Sequence, residues 1–241
     1  MMAKIVPSNI NFSGNLFELN FVNSRNGKYV RRKRGTVTVA KINASLRKNA
    51  ARTKIVNRSF VPIHAAMKYY AGFFKDGDFC RDMRRRLMKC SDDLLLTHLK
   101  SLQKLELNKL HRMEWHVNLP TCNLQSKKDY VAVNMQFKNH PKFKNSRNNS
   151  YCYEAVLLLW DNKTKEPVKH SIETEWVNFD DEVPHYDFIF KRMPKHNHYL
   201  LILKLLGGIN KISEQMMADK AMIILEGGKV TDKTTARNNQ G

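Results

Sequence analysis

The stretch Tyr151-Cys152-Tyr153-Glu154-Ala155-Val156-Leu157-Leu158-Leu159-Trp160 decides the fold. It is nearly all apolar and strand-sized, far short of the roughly 18–20 apolar residues of a membrane span, so it reads as a central strand. The turn residues Asp161-Asn162-Lys163-Thr164 close it. Downstream, residues 168–177, 186–192, 199–206 and 221–225 are further strand-like runs separated by turn signals. Upstream, Val131, Val133, Met135 and Phe137 alternate with Ala132, Asn134 and Gln136, and Met113, Trp115 and Val117 alternate with Glu114 and His116. A period of two places alternate side chains on opposite faces. About seven short strands of this kind predict an antiparallel β-sandwich, with Gly207-Gly208 and Gly227-Gly228 as turn punctuation.

Before His111 the period lengthens to that of helices. Ile42, Leu46, Ala50 and Ile55 are the apolar positions of a helix over 41–58, and Pro62 marks a break before Ile63, Met67 and Tyr70. Phe79, Met83 and Leu87 define a helix over 78–90. Leu94, Leu95, Leu99 and Leu102 define another, with Ser91 or Asp92 as its cap. At the start of the chain, Phe12, Leu16, Leu19 and Phe21 lead into Asn26-Gly27, a pair suited to a tight turn, and the return strand is expected over 28–33. The predicted class is therefore α+β: an N-terminal β-hairpin and helical basic segment over 1–110, an antiparallel β-sandwich of seven strands over 111–230, and a polar tail over 231–241.

Charge is distributed unevenly. The chain has 42 Lys and Arg against 22 Asp and Glu, and the first 60 residues hold 13 basic side chains and one acidic one, Glu18. Such a segment attracts polyanions, nucleic acid foremost, with an anionic membrane face or an acidic protein as competitors. The expected phosphate contacts are Lys28, Arg31, Arg32, Lys33 and Arg34 of the hairpin, Arg47, Lys48, Arg52, Lys54 and Arg58 of the first helix, and Arg84, Arg85 and Arg86 of the next. Arginine's planar donor fork suits phosphate. The loop over 139–150 offers Lys142, Lys144 and Arg147 as a second point of attachment, with Phe143 available for stacking on a base.

Catalytic motifs are missing: the sequence has no G-x-S-x-G, no phosphate loop ending in Gly-Lys-Ser/Thr, no H-E-x-x-H and no G-x-G-x-x-G. His196 and His198 share a strand face, but no Cys or carboxylate stands at a matching spacing, and Asp180-Asp181-Glu182 lacks the alternation of a calcium loop. No cofactor or metal is expected. Cys80, Cys90, Cys122 and Cys152 are too far apart for C-x-x-C chemistry and read as reduced, packed thiols. With no apolar segment at the N-terminus, the expected compartment is the cytoplasm.

The run Gly14-Asn15-Leu16-Phe17, then Asn26-Gly27-Lys28-Tyr29-Val30-Arg31-Arg32-Lys33-Arg34-Gly35, a helix rich in Ala, Arg and Lys, and Phe60-x-Pro62 resemble uncharacterised proteins of the Bacteroidota. That family resemblance implies a short hairpin, a helical segment and a β-sandwich tail, and it implies no activity or site residue. The expected function is a non-enzymatic protein that grips nucleic acid or another polyanion through phosphate contacts of its N-terminal half. The alternative is a self-assembling structural or coat-like protein whose sandwich makes homo-oligomer or protein contacts.

Overall fold

The chain divides into two units, residues 1–50 and 51–241, and the computed structural model describes residues 3–4, 14–17, 19–24, 27–32, 43–72, 74, 78–90, 92, 94–161, 166–213 and 217–230. In the first unit, β1 (Ala3–Lys4), β2 (Gly14–Leu16), β3 (Leu19–Ser24) and β4 (Gly27–Arg32) form an antiparallel sheet in the order β1-β4-β3-β2. The predicted hairpin is β3 and β4, and its register pairs Ser24 with Gly27. Phe21, Val22, Tyr29 and Val30 are half-buried, and among the side chains described in this unit none is fully buried.

Helix α1 (Ala44–Ala71) is one element where two were expected, because Pro62 lies inside it. An internal proline costs a helix roughly 3 kcal/mol or more. Here a buried stripe, Val56, Phe60, Ile63, Ala66, Met67 and Ala71, runs past Pro62 on both sides, and its burial holds the helix together. Helix α2 (Phe79–Met88) buries Phe79, Met83 and Leu87 as its spacing predicts. Helix α3 (Leu95–Ser101) has Leu94 at its N-cap with no side-chain cap, and Asp92, one of the two expected caps, stands just before it, its carboxylate accepting from the Leu94 N–H at 2.9 Å and the Thr97 hydroxyl at 3.0 Å.

The remaining elements are a 3₁₀ turn over Met113–Trp115, then β5 (Thr121–Ser126), β6 (Tyr130–Gln136), β7 (Ser150–Asp161), β8 (Val168–Glu173), β9 (Val177–Asn178), β10 (His185–Lys191), β11 (His196–Ile209), β12 (Ile212–Ser213), a second 3₁₀ turn over Met217–Asp219 and β13 (Lys220–Lys229). They build two antiparallel sheets. In the larger, β8 and β9 flank β7, β7 pairs with β11, and β11 pairs on its other side with β13 and β12. In the smaller, the order is β10-β6-β5. The class is α+β with a β-rich C-terminal part.

Two cores explain why β7 is apolar on both faces. Tyr153, Ala155, Leu157 and Leu159 meet Val131, Val133, Phe188 and Phe190 of the smaller sheet. Val156, Leu158 and Trp160, with Leu200, Ile202, Met222 and Ile224, meet the buried stripes of α1, α2 and α3. The second unit is thus three layers, helices on sheet on sheet. The expected boundary near residue 110 falls within it, since the helical residues from Val56 onward share a core with the sheet.

Three local expectations are corrected. Residues 113–117 are not a strand: Met113 and Val117 are buried by a 3₁₀ turn that leaves Trp115 outward. The first strand of the smaller sheet is β5, whose outward Thr121, Asn123 and Gln125 hide its signal. Gly207, Gly208, Gly227 and Gly228 lie inside β11 and β13 and are not turns. A Cβ on Gly227 would stand 2.5 Å from the Leu99 carbonyl oxygen, so this glycine lets α3 lie against the strand.

Candidate nucleic-acid interface

Helix α1 carries Arg47, Lys48, Arg52, Lys54, Arg58 and Lys68 over its 28 residues, and no acidic residue. Arg47, Lys48, Lys54, Arg58 and Lys68 are exposed. Arg52 is half-buried and donates from Nη2 to the Cys90 carbonyl at 2.8 Å, fastening α1 to the segment between α2 and α3. Within the second unit, Lys54 and Arg58 line a groove of about 460 Å³ with Val61, Pro62, Pro167 and Lys169, where Glu166 is the one carboxylate among the lining residues described. Lys169 Nζ stands 5.4 Å from the centre of the exposed Tyr69 ring.

The four arginines of α2 have different surroundings, and Arg81 pairs with Asp78 at 2.9 Å. Arg84 is exposed and its guanidinium lies 4.6 Å from the Phe60 ring centre. Arg85 pairs at 3.1 Å with Asp82, a buried carboxylate that also pairs with Lys109. The hydrogen bond from Lys109 holds the Asp82 carboxyl below the usual carboxylate range, against its burial. Arg86 is half-buried and donates to the carbonyls of Gln103 at 2.6 Å, Lys104 at 3.3 Å and Ser101 at 3.4 Å, closing the C-terminal end of α3. Burial lowers its pKa. Arg52 and Arg86 are therefore structural donors first. The predicted phosphate contacts that stay exposed on the helices are Arg47, Lys48, Lys54, Arg58, Arg84 and the outer side of Arg85. In the hairpin, Lys28 and Arg32 are placed by their backbone in β4, Arg31 is half-buried, and Lys33 and Arg34 lie outside the described residues.

A second cluster was legible only in part. Trp115 is 53 % exposed on its 3₁₀ turn, with Arg112 Cζ 5.5 Å and Lys144 Nζ 5.9 Å from the ring. Beside it is a cleft of about 170 Å³ lined by Leu110, His111, His116, Lys142, Phe143 and Lys144. A neighbouring depression of about 200 Å³ is lined by Arg85, Arg86, Lys104, Lys109 and Arg112, with Asp82, Glu106 and Glu114. Phe143, expected to be available for stacking, is occupied: it packs against the core, its ring 5.4 Å from His116 and close enough to Gly207 that a Cβ there would stand 2.8 Å away. Lys142 and Lys144 of the same loop are exposed. In this cluster the exposed aromatic is Trp115, hidden in sequence by an alternation that resembles a strand.

Glu106 forms the floor of this region. Its Oε1 accepts from the Met113 N–H at 3.0 Å, and burial pushes its carboxyl up to about 7. Elsewhere, His196 is buried beside Arg192, which donates from Nε to its carbonyl at 2.8 Å, and burial lowers the pKa of both His196 and His198. Among the described residues no three His, Cys, Asp or Glu side chains converge as a metal site would require, and no helix is long and apolar enough to cross a membrane. No protein-family model, curated protein or solved structure matches this chain.

Proposed function

We propose that this chain is a non-enzymatic nucleic-acid-binding protein that holds the phosphate backbone through cations of its N-terminal half. What carries the reading is α1: 28 residues with six basic side chains and no acid, five of the six exposed. A surface of that composition binds polyanions by releasing their counterions, and log K then falls with log salt by about 0.9 per neutralised duplex phosphate and about 0.7 for a single strand. Phosphate contacts of this kind fix position and carry no base sequence.

The test is fluorescence anisotropy with mixed-sequence DNA and RNA across a salt series. Replacing Arg47, Lys48, Lys54 and Arg58 together by Gln should weaken binding, and the slope of log K against log salt should shrink by about 0.7–0.9 for each phosphate no longer neutralised. Absence of salt-dependent binding by the wild-type chain would end this reading. A second reading, self-assembly through sheet edges, is favoured by the first unit, whose described side chains include none that is buried. Assemblies that persist in light scattering after nuclease treatment would support it.

A further inference from the structure

We infer that Trp115 is a stacking platform for an unpaired base, so that the surface around residues 110–116 and 142–144 binds single-stranded nucleic acid in preference to duplex. The inference rests on the proposed polyanion binding and adds to it a site, a strand preference and a residue.

The ring is held outward by its neighbours. Met113 and Val117 are fully or nearly fully buried in the core under the smaller sheet, the Met113 N–H is bound by Glu106, and the Val117 N–H bonds the Met113 carbonyl at 2.9 Å. A 53 % exposed indole on so anchored a turn cannot retreat into the core without breaking it, and it loses little side-chain entropy when a ligand covers it. Arg112 and Lys144 stand over the ring at the outer limit of cation–π contact, 5.5 and 5.9 Å from it, a loose hold from which the two side chains can swing aside to give a flat ligand the indole face. Both cations are exposed, as is Lys142, so they can reach the phosphates on either side of a stacked base. An aromatic face between cations is the arrangement by which proteins hold single strands without reading sequence, and stacking of one base is worth about 1–3 kcal/mol. In a duplex the same base faces are already stacked on each other, so the indole has nothing to cover. An acidic peptide would satisfy the cations and leave the indole bare.

The test compares the wild-type chain with Trp115→Ala and Trp115→Phe by anisotropy on a labelled single-stranded oligonucleotide, oligo(dT) and oligo(U) in parallel, and on a duplex of equal length. Trp115→Ala should lose about 5- to 150-fold in single-strand affinity, the factor equivalent to that stacking energy. Duplex affinity and both salt slopes should stay as they were, and Trp115→Phe should recover part of the loss. Single strands should also quench the indole emission of the wild-type chain, and the quenching should vanish in Trp115→Phe. An unchanged single-strand affinity in Trp115→Ala, with salt-dependent binding intact, would overturn the platform and leave the phosphate reading standing. Equal losses on single strand and duplex would overturn it as well, as would equally Trp115-dependent binding of polyglutamate. If the wild-type chain binds no nucleic acid at any salt, the broader reading fails first.

Discussion

At residue scale, burial separates groups that look alike in sequence. Glu114 is exposed within the turn of Met113–Trp115, whereas Glu106 lies against that turn with its carboxyl raised to about 7, chiefly by burial and against the hydrogen bond from Met113. Since the unfolded chain ionises Glu near 4.3, the native state holds the extra proton between about pH 4.3 and 7, and stability falls as pH rises through that window. Glu106→Gln keeps the acceptor for Met113 and removes the titration. Its unfolding free energy should match the wild type near pH 4 and exceed it at pH 8 by on the order of 1–3 kcal/mol; denaturant melts at both pH values measure this, and an equal difference at both would refute the assignment. Gly227 is a second case. Gly227→Ala would force its Cβ to 2.5 Å from the Leu99 carbonyl oxygen, whereas at Gly228→Ala the nearest atoms belong to the Tyr199 side chain, at 3.0 Å and beyond, and need move by only a few tenths of an ångström. The first should cost about 1–3 kcal/mol and the second less, as read from thermal unfolding; equal effects would show that α3 does not press on β13.

Among the elements, charge and shape do not coincide. The sequence places both Arg52 and Arg86 among the phosphate contacts, and the fold gives both to main-chain carbonyls. Periodicity could locate the helical faces on which they lie, but it could not say that α3 ends beside α2 and offers three carbonyls there. Likewise, the alternation of Met113, Trp115 and Val117 is compatible with a strand, and also with a 3₁₀ turn that buries its first residue and turns the third outward. The glycine pairs looked like turns because glycine is scarce in strands; here close approach of Phe143 to Gly207, of the Ile212 carbonyl and Trp176 to Gly208, and of α3 to Gly227 leaves no space for a Cβ. β13 also gains a neighbour that no periodicity reveals: the Lys104 N–H bonds the Ile224 carbonyl at 2.7 Å and the Leu107 N–H bonds the Met222 carbonyl at 3.0 Å, covering that edge.

For the whole molecule, the sheet between the two cores sets what can fold alone. A fragment of residues 111–230 would bare Val156, Leu158, Trp160, Leu200, Ile202, Met222 and Ile224, an apolar face that soluble monomers do not expose. That fragment should aggregate or bind a hydrophobic dye, and residues 51–230 should unfold in one cooperative step; circular dichroism and dye fluorescence of the two decide it, and a soluble, cooperatively folding 111–230 would overturn the three-layer account. The sequence by itself determined the class, all the long strands except β5, the central place of β7, two of the helices and the basic character of the N-terminal half, because hydrophobic period and charge are local properties of a chain. Only the tertiary structure decided that α1 runs through Pro62, that the helices share a core with the sheet, which cations are committed to carbonyls and that Trp115 faces outward. Each of these depends on which surfaces meet across long sequence separations, and a local pattern carries no record of that.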